Sequence, residues 1–398
     1  MTPEERRRGR VVSSHRIAVS AFRLAGAFGL VAGGWSLWVL VDGGTWWGPI
    51  HAFLLGSVSL AIAGASQMFT ITWSAAPAPP AWTAASQRWS QAVGTAAVLL
   101  GTTVGSTGAV VLGGVAVLLG MTLLAFSLIG AVRHSLLRRF DLSLRFYLLG
   151  IACAVVGVTL GMMMVSDLGA DRYTLLRVVH GHLNLVGFVG FVIIGTLPTI
   201  LPTFAHHRAV SGREAVLSWR LAVVSAVAMA SGLAFGEAVV GVGTLLAVGA
   251  LLTVVVGVVM RLGRTGVRGG LPYLQVVIGC GWLATWGVID GLQLLTGSIA
   301  PAFDRWIAAA VLAGVGQILF GSLAYLLPVL AGPGPRLGRN FERLDRRRWL
   351  PLVLANGAAV GIVIGAPAIA IAGMASWLAD FTRRLVSLER GSGDAASE

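Results

Sequence analysis

Eleven stretches of this 398-residue chain are apolar enough and long enough to cross a bilayer, which takes about 20 predominantly apolar residues in helical form. They lie near 17–41, 50–73, 89–106, 108–132, 146–166, 178–204, 216–236, 238–260, 272–296, 306–330 and 350–373. Irregular backbone in hydrocarbon leaves its polar groups unsatisfied, so such runs fold as helices. The expected fold is all-α: a polytopic transmembrane bundle of about 11–12 spans. Residues 1–16 read as a basic N-terminal tail, 17–373 as the transmembrane domain and 374–398 as a polar C-terminal tail, with an amphipathic surface helix over 377–388. The third run, rich in Gly and Thr, is the weakest. With 56% hydrophobic and 11% charged residues, the chain has more apolar surface than a soluble protein of this length can bury.

Charge sets an expected orientation. All 29 basic residues are arginine, and the formal net charge is +13. The arginines cluster between apolar runs, which points to loops facing anionic lipid and not to nucleic acid. With the N-terminus in the cytoplasm, 22 arginines fall on the inside and only Arg172, Arg177 and Arg305 in outside loops. The C-terminal tail, with three more, would then lie outside and fits the rule poorly. No small-residue cleavage site follows the first run, which is read as a retained helix. The expected location is the plasma (inner) membrane, with the N-terminus cytoplasmic.

The sixth run carries the chemistry: Arg177-Val-Val-His180-Gly-His182-Leu-Asn184-Leu-Val-Gly187. An ionisable group kept inside a membrane is a functional candidate by default. Residues two apart on a helix diverge by roughly 200°, so His180 and His182 serve two sites and not one small ion. His51 opens the second run, at the same outer depth under the expected orientation. Imidazole suits iron, copper and zinc, so His51, His180 and His182 are candidate metal ligands with no metal fixed by residue type. Four further histidines, His15, His134, His206 and His207, fall in segments read as cytoplasmic and solvated.

An internal repeat links the two histidine-bearing runs. His51 is followed by glycine at offsets 5 and 13 (Gly56, Gly64), and so is His182 (Gly187, Gly195). The two histidines are 131 residues, or four spans, apart. Four spans further on, the tenth run shows Gly316 and Gly321, again 5 apart, without a histidine. A fixed period of this kind indicates repeated four-helix units. The matching offsets make His51 and His182 the expected acting pair, with His180 separate. Glycines at those places also let helices approach closely.

A histidine on the second span, a His-x-His on a later span and repeated four-helix units resemble the heme-copper oxidase subunit I superfamily and its shorter NnrS-type relatives. The phrases His51-Ala-Phe-Leu-Leu-Gly, His180-Gly-His182-Leu-Asn-Leu-Val-Gly and Gly316-Gln-Ile-Leu-Phe-Gly are also similar to actinobacterial membrane proteins, some joined to multicopper oxidase or copper nitrite reductase domains. The resemblance implies heme b held by His51 and a histidine of the His180/His182 pair, with copper as an alternative metal. It further implies a multicopper oxidase or other redox partner on the extracytoplasmic side. In the oxidases the His-x-His lies on the tenth helix and further histidines hold copper; here it lies on the sixth, and runs seven to ten carry no histidine. An oxygen-reducing copper–heme centre is therefore not expected.

The remaining polar residues fill supporting places. Arg177, about one turn before His180, can pair with heme propionates, because a guanidinium fork matches a carboxylate. Asn184 can support a ligand. Met162, Met163 and Met164 are soft donors or simple packing. Asp290 is a carboxylate well inside the ninth run, a candidate for a proton path or a buried hydrogen bond. Cys153 and Cys280 are too few for a disulfide framework or a multi-cysteine zinc site. Three functions remain open: a membrane redox or electron-transfer protein handling oxygen, a nitrogen oxide or copper; a membrane non-heme iron oxygenase acting on an apolar substrate; and a transporter whose histidines are structural.

Overall fold

The computed structural model describes residues 3–133, 141–166, 170–205, 207, 212–266, 269–297, 303–330 and 335–393. His134, His206 and the glycine–proline loop at 331–334 lie outside them. Among the described residues all regular structure is helical. The helices are α1 (Pro3–Asp42), α2 (Trp47–Trp73), α3 (Ala81–Thr103), α4 (Thr107–Arg133), α5 (Asp141–Val165), α6 (Ala170–Phe204), α7 (Arg213–Phe235), α8 (Glu237–Arg264), α9 (Leu271–Thr296), α10 (Asp304–Leu330), α11 (Pro335–Asp345), α12 (Trp349–Val363) and α13 (Pro367–Gly393). Nine of the described helices are long and apolar enough to cross a membrane, and the chain is a multi-pass membrane protein.

Two of the eleven expected runs fall short of that standard for physical reasons. α12 is apolar but has 15 residues, about 22 Å at 1.5 Å per residue. α3 is long enough but carries a buried polar face of Gln87, Gln91 and Thr95. Residues expected as the start of a polar tail instead continue α13. This helix turns back on α12 at Gly365 (φ 69°), against the guanidinium of Arg305 at the start of α10. At its far end Arg384 is buried, bonded to Asp380 and to the carbonyl of Leu344 in α11. α13 therefore returns the chain to the end of the bundle where α11 lies.

Setting α11 aside, the other twelve helices form three four-helix units: α1–α4, α5–α8, and α9, α10, α12 and α13. In each unit the second helix is the most buried, and it is pinned to the first by a glycine. A side-chain carbon at Gly64 would come within 2.7 Å of Ala21, and one at Gly321 within 2.9 Å of Gln275; at Gly195 it would meet Phe146. The partner pairs Ala18/Ala21, Ser143/Phe146 and Pro272/Gln275 share one spacing on α1, α5 and α9. The third and fourth helices of each unit form close hairpins, as at Gly94 on Gly113 and Gly373 on Ala358. Units meet through helix faces: Gly114 with Met162, Gly241 with Gly291, and Gly33 with Leu378, which closes the ring. With no hydrophobic drive between helices in lipid, small residues that admit close packing are what holds such seams.

The three central helices, α2, α6 and α10, share a backbone irregularity. Each contains a π segment: Ala52–Val58, Leu183–Gly190 and Ala310–Gly316. Wide turns of this kind are rare and concentrate at functional sites. They also loosen the hydrogen-bond ladder, and in a membrane the exposed carbonyls need partners. The carbonyl of Leu55 receives Gln91 Nε2 (3.2 Å), Thr95 Oγ1 (3.2 Å) and the Ser59 hydroxyl. This explains the polar face of α3.

Candidate functional site

His51 is the last residue of α2 before its π segment, and its ring stacks on Trp47 at 4.3 Å between centroids. His51 Nδ1 lies 2.7 Å from the carbonyl of Trp47. A carbonyl only accepts, so Nδ1 carries the proton and Nε2 keeps its lone pair. His180 is held the same way from a different helix: its Nδ1 donates to the carbonyl of Gly157 on α5, at 2.7 Å. Two glycines on α5 make room. A carbon added at Gly161 would sit 2.9 Å from His180 Cε1, and one at Gly157 would collide with the Asn184 amide. Asn184 in turn donates to the carbonyl of His180 at 2.8 Å, tying α6 one turn along.

The rings of His51 and His180 face each other across the seam between the first and second units. Their centroids are 6.2 Å apart and their planes differ by 16°. Among the described residues neither Nε2 meets a hydrogen-bond partner. Histidines that bind a metal almost always donate their other ring N–H to a carbonyl or carboxylate. Two imidazoles sharing one metal, with bonds of about 2 Å on each side, show about this separation. His51 and His180 are the two residues that would hold a shared metal at this seam, each through its Nε2.

His182 is placed differently from the expected pairing with His51. It points away from His180, into the seam between the second and third units. Its Nδ1 donates to the carbonyl of Val178 (2.7 Å), and its Nε2 lies 2.6 Å from Asp290 Oδ2 on α9. Trp286, one turn before Asp290, lies alongside with ring centroids 6.0 Å apart. All three side chains are buried, at 4% exposure or less. With acceptors at both ring nitrogens, His182 and Asp290 together hold one shared proton and no net charge, the arrangement a buried pair requires. Both nitrogens of His182 are engaged, whereas His51 and His180 each present one free.

The other candidates have partners other than the histidines. Arg177 pairs with Asp304 at the start of α10 at 3.3 Å, with side chains 57% and 70% exposed. Met162 packs on Gly114, and Met163 and Met164 on the core. Among the described residues no group of three or more His, Cys, Asp or Glu side chains stands close enough to hold a metal. Sequence reasoning missed three parts of the candidate site. These are the α5 seat of Gly157 and Gly161, the Trp47 stack, and the union of Asp290 with His182. The Gly-x-x-x-Gly spacing of 157 and 161 was the available signal.

In comparisons with known proteins, no family model matches the chain. No curated protein is significantly similar to it.

Proposed function

We propose that this protein is an integral membrane redox protein holding one heme b between His51 and His180, for electron transfer. The observation that carries the reading is the matched pair of free Nε2 atoms, each imidazole fixed through Nδ1 to a backbone carbonyl. A heme iron between two such ligands supplies reversible one-electron chemistry. The chain's own residues orient the donors. The Trp47 and Gly157 carbonyls fix the tautomers, Trp47 and the α5 glycines fix the ring planes, and Asn184 steadies the backbone at His180. Copper is the alternative metal for the same two donors. The sequence resemblance to the heme-copper oxidase subunit I superfamily supports the same assignment. A non-heme iron oxygenase is less well supported, because its larger ligand cluster is missing from the described residues.

We further place the histidine end of the bundle on the extracytoplasmic side of the plasma membrane, within reach of a multicopper oxidase or another redox partner. Reading α13 as a crossing brings Arg383 and Arg384 to the same side as the 22 arginines already assigned to the cytoplasm.

The test is reduced-minus-oxidised absorption spectroscopy of the purified wild type and the His51→Ala, His180→Ala and His182→Ala variants. The expected result is a low-spin b-type spectrum in the wild type, lost in the first two variants and kept in the third. A wild type without a Soret band would overturn heme, and bound copper in that sample would assign the same donors to copper.

A further inference from the structure

A partly open cavity of about 100 Å³ lies where the three units meet. Its wall is drawn from the central helices in one shared register: from Val58 to Phe69 on α2, from Val189 to Ile200 on α6 and from Val315 to Leu326 on α10. Each stretch advances 11 residues, about 16 Å along a helix. Gly64, Gly195 and Gly321 stand six residues into each, so the register matches that of the packing glycines. The three leading valines are all buried, and each lies within or at the end of a π segment. They separate the cavity from the level of His51, which is seven residues back, about 10 Å.

The lining is apolar apart from the hydroxyls of Ser66, Tyr147, Thr196 and Ser322, and the first three are engaged with their own helices or with each other. Thr196 Oγ1 donates to the carbonyl of Val192 (2.7 Å), so the Tyr147 hydroxyl, 3.0 Å away, donates to Thr196. Ser66 reaches the carbonyl of Ala63 at 3.4 Å. Water needs two to four polar partners to occupy a cavity, and an apolar one of about 150 Å³ stays dry and takes benzene or xenon. The walls therefore favour an uncharged guest that already partitions into lipid.

We propose that this axial cavity is a binding site for a small apolar molecule of the size of a diatomic gas. The site is separate from the histidine pair and is built by the threefold repetition itself. A guest there sits beyond the valines, more than about 10 Å along the helix from the level of His51, and is not reached by direct ligation.

Xenon is the probe. The full-length protein in lipid nanodiscs is titrated with xenon and followed by xenon-129 exchange NMR, and its structure is determined under xenon pressure. The expected result is one saturable bound component and one xenon peak between Val315 and Leu326. Ser322→Leu and Ala65→Leu each add volume to the wall at partly buried positions, and each should lower xenon occupancy at least tenfold while the protein stays monodisperse. His51→Ala should leave xenon binding unchanged, which separates this proposal from the heme assignment. No saturable component in the wild type would overturn the proposal. So would undiminished binding in both filled variants, or an alkyl chain of lipid or detergent filling the cavity.

Discussion

Nε2 of His182 lies 2.6 Å from Oδ2 of Asp290, both side chains almost wholly buried, and the contact joins α6 to α9 across 108 residues of sequence. It makes His182 a fastener between units, in contrast to the open imidazoles of His51 and His180. Removing one partner of a buried pair strands the other, at a cost of about 3–5 kcal/mol. Asp290→Ala is expected to lower thermal stability by that order. Asp290→Asn, which retains a hydrogen-bonding group, should lose less. In a double-mutant cycle, His182→Leu with Asp290→Leu should cost less than the sum of the single changes. Additivity within error would show that the two side chains do not interact.

The seat of His180 makes a second prediction. Gly161→Val adds carbon where the His180 ring already lies. The expected outcome is an altered or lost low-spin spectrum with unchanged helical content by circular dichroism. Gly130, which has nothing within 4 Å of a side-chain carbon, serves as the control, and Gly130→Val should leave the spectrum as it was. Equal spectra in both variants would remove α5 from the site.

Gln91 addresses the π segment of α2. Its amide reaches the Leu55 carbonyl (3.2 Å) and the Ser59 hydroxyl (2.9 Å). Interhelical hydrogen bonds in membranes contribute about 0.6–2 kcal/mol, so Gln91→Leu should destabilise by that amount in reversible unfolding. The change should be smaller in Gln91→Glu at low pH, where the protonated acid restores a donor. A stabilised Gln91→Leu protein would contradict the role given to α3.

Topology is checked with fused reporters. A reporter after Arg348 and one after Gly393 should both read cytoplasmic, and one at Ala170 extracytoplasmic. Opposite sides for the first two would remove α13 as a crossing, whatever the orientation of the rest.

Much of the bundle was legible because apolar runs of bilayer length leave the backbone little choice. The repeat was legible in its glycines, since Gly64 and Gly195 need bare α-carbons against α1 and α5. α13 was harder to read. Trp377, Asp380 and Arg384 look like an interfacial tail, and burial of the arginine becomes acceptable only once Asp380 and the Leu344 carbonyl are in place. The angle between His180 and His182 followed from helix geometry, but the neighbour each one meets did not. Equivalent positions in two repeats suggested His51 with His182. The contacts that decide the matter, Gly157 and Gly161 for one ring and Asp290 for the other, belong to helices on either side of α6 and leave no mark in the repeat. That the third unit lacks the histidine was legible; that Ala308 takes its place follows only from the register in which Gly321 matches Gly64 and Gly195.

His51 and His180 belong to different units, and those units meet through helix faces. α4 and α5 meet at Gly114 and Met162, so two polypeptides divided between these helices would still carry the packing faces that dock in the bilayer. One would bring His51 and the other His180 to the proposed site. Under the proposed heme assignment, the cofactor would then clamp the two polypeptides together, and its absorption would report their assembly.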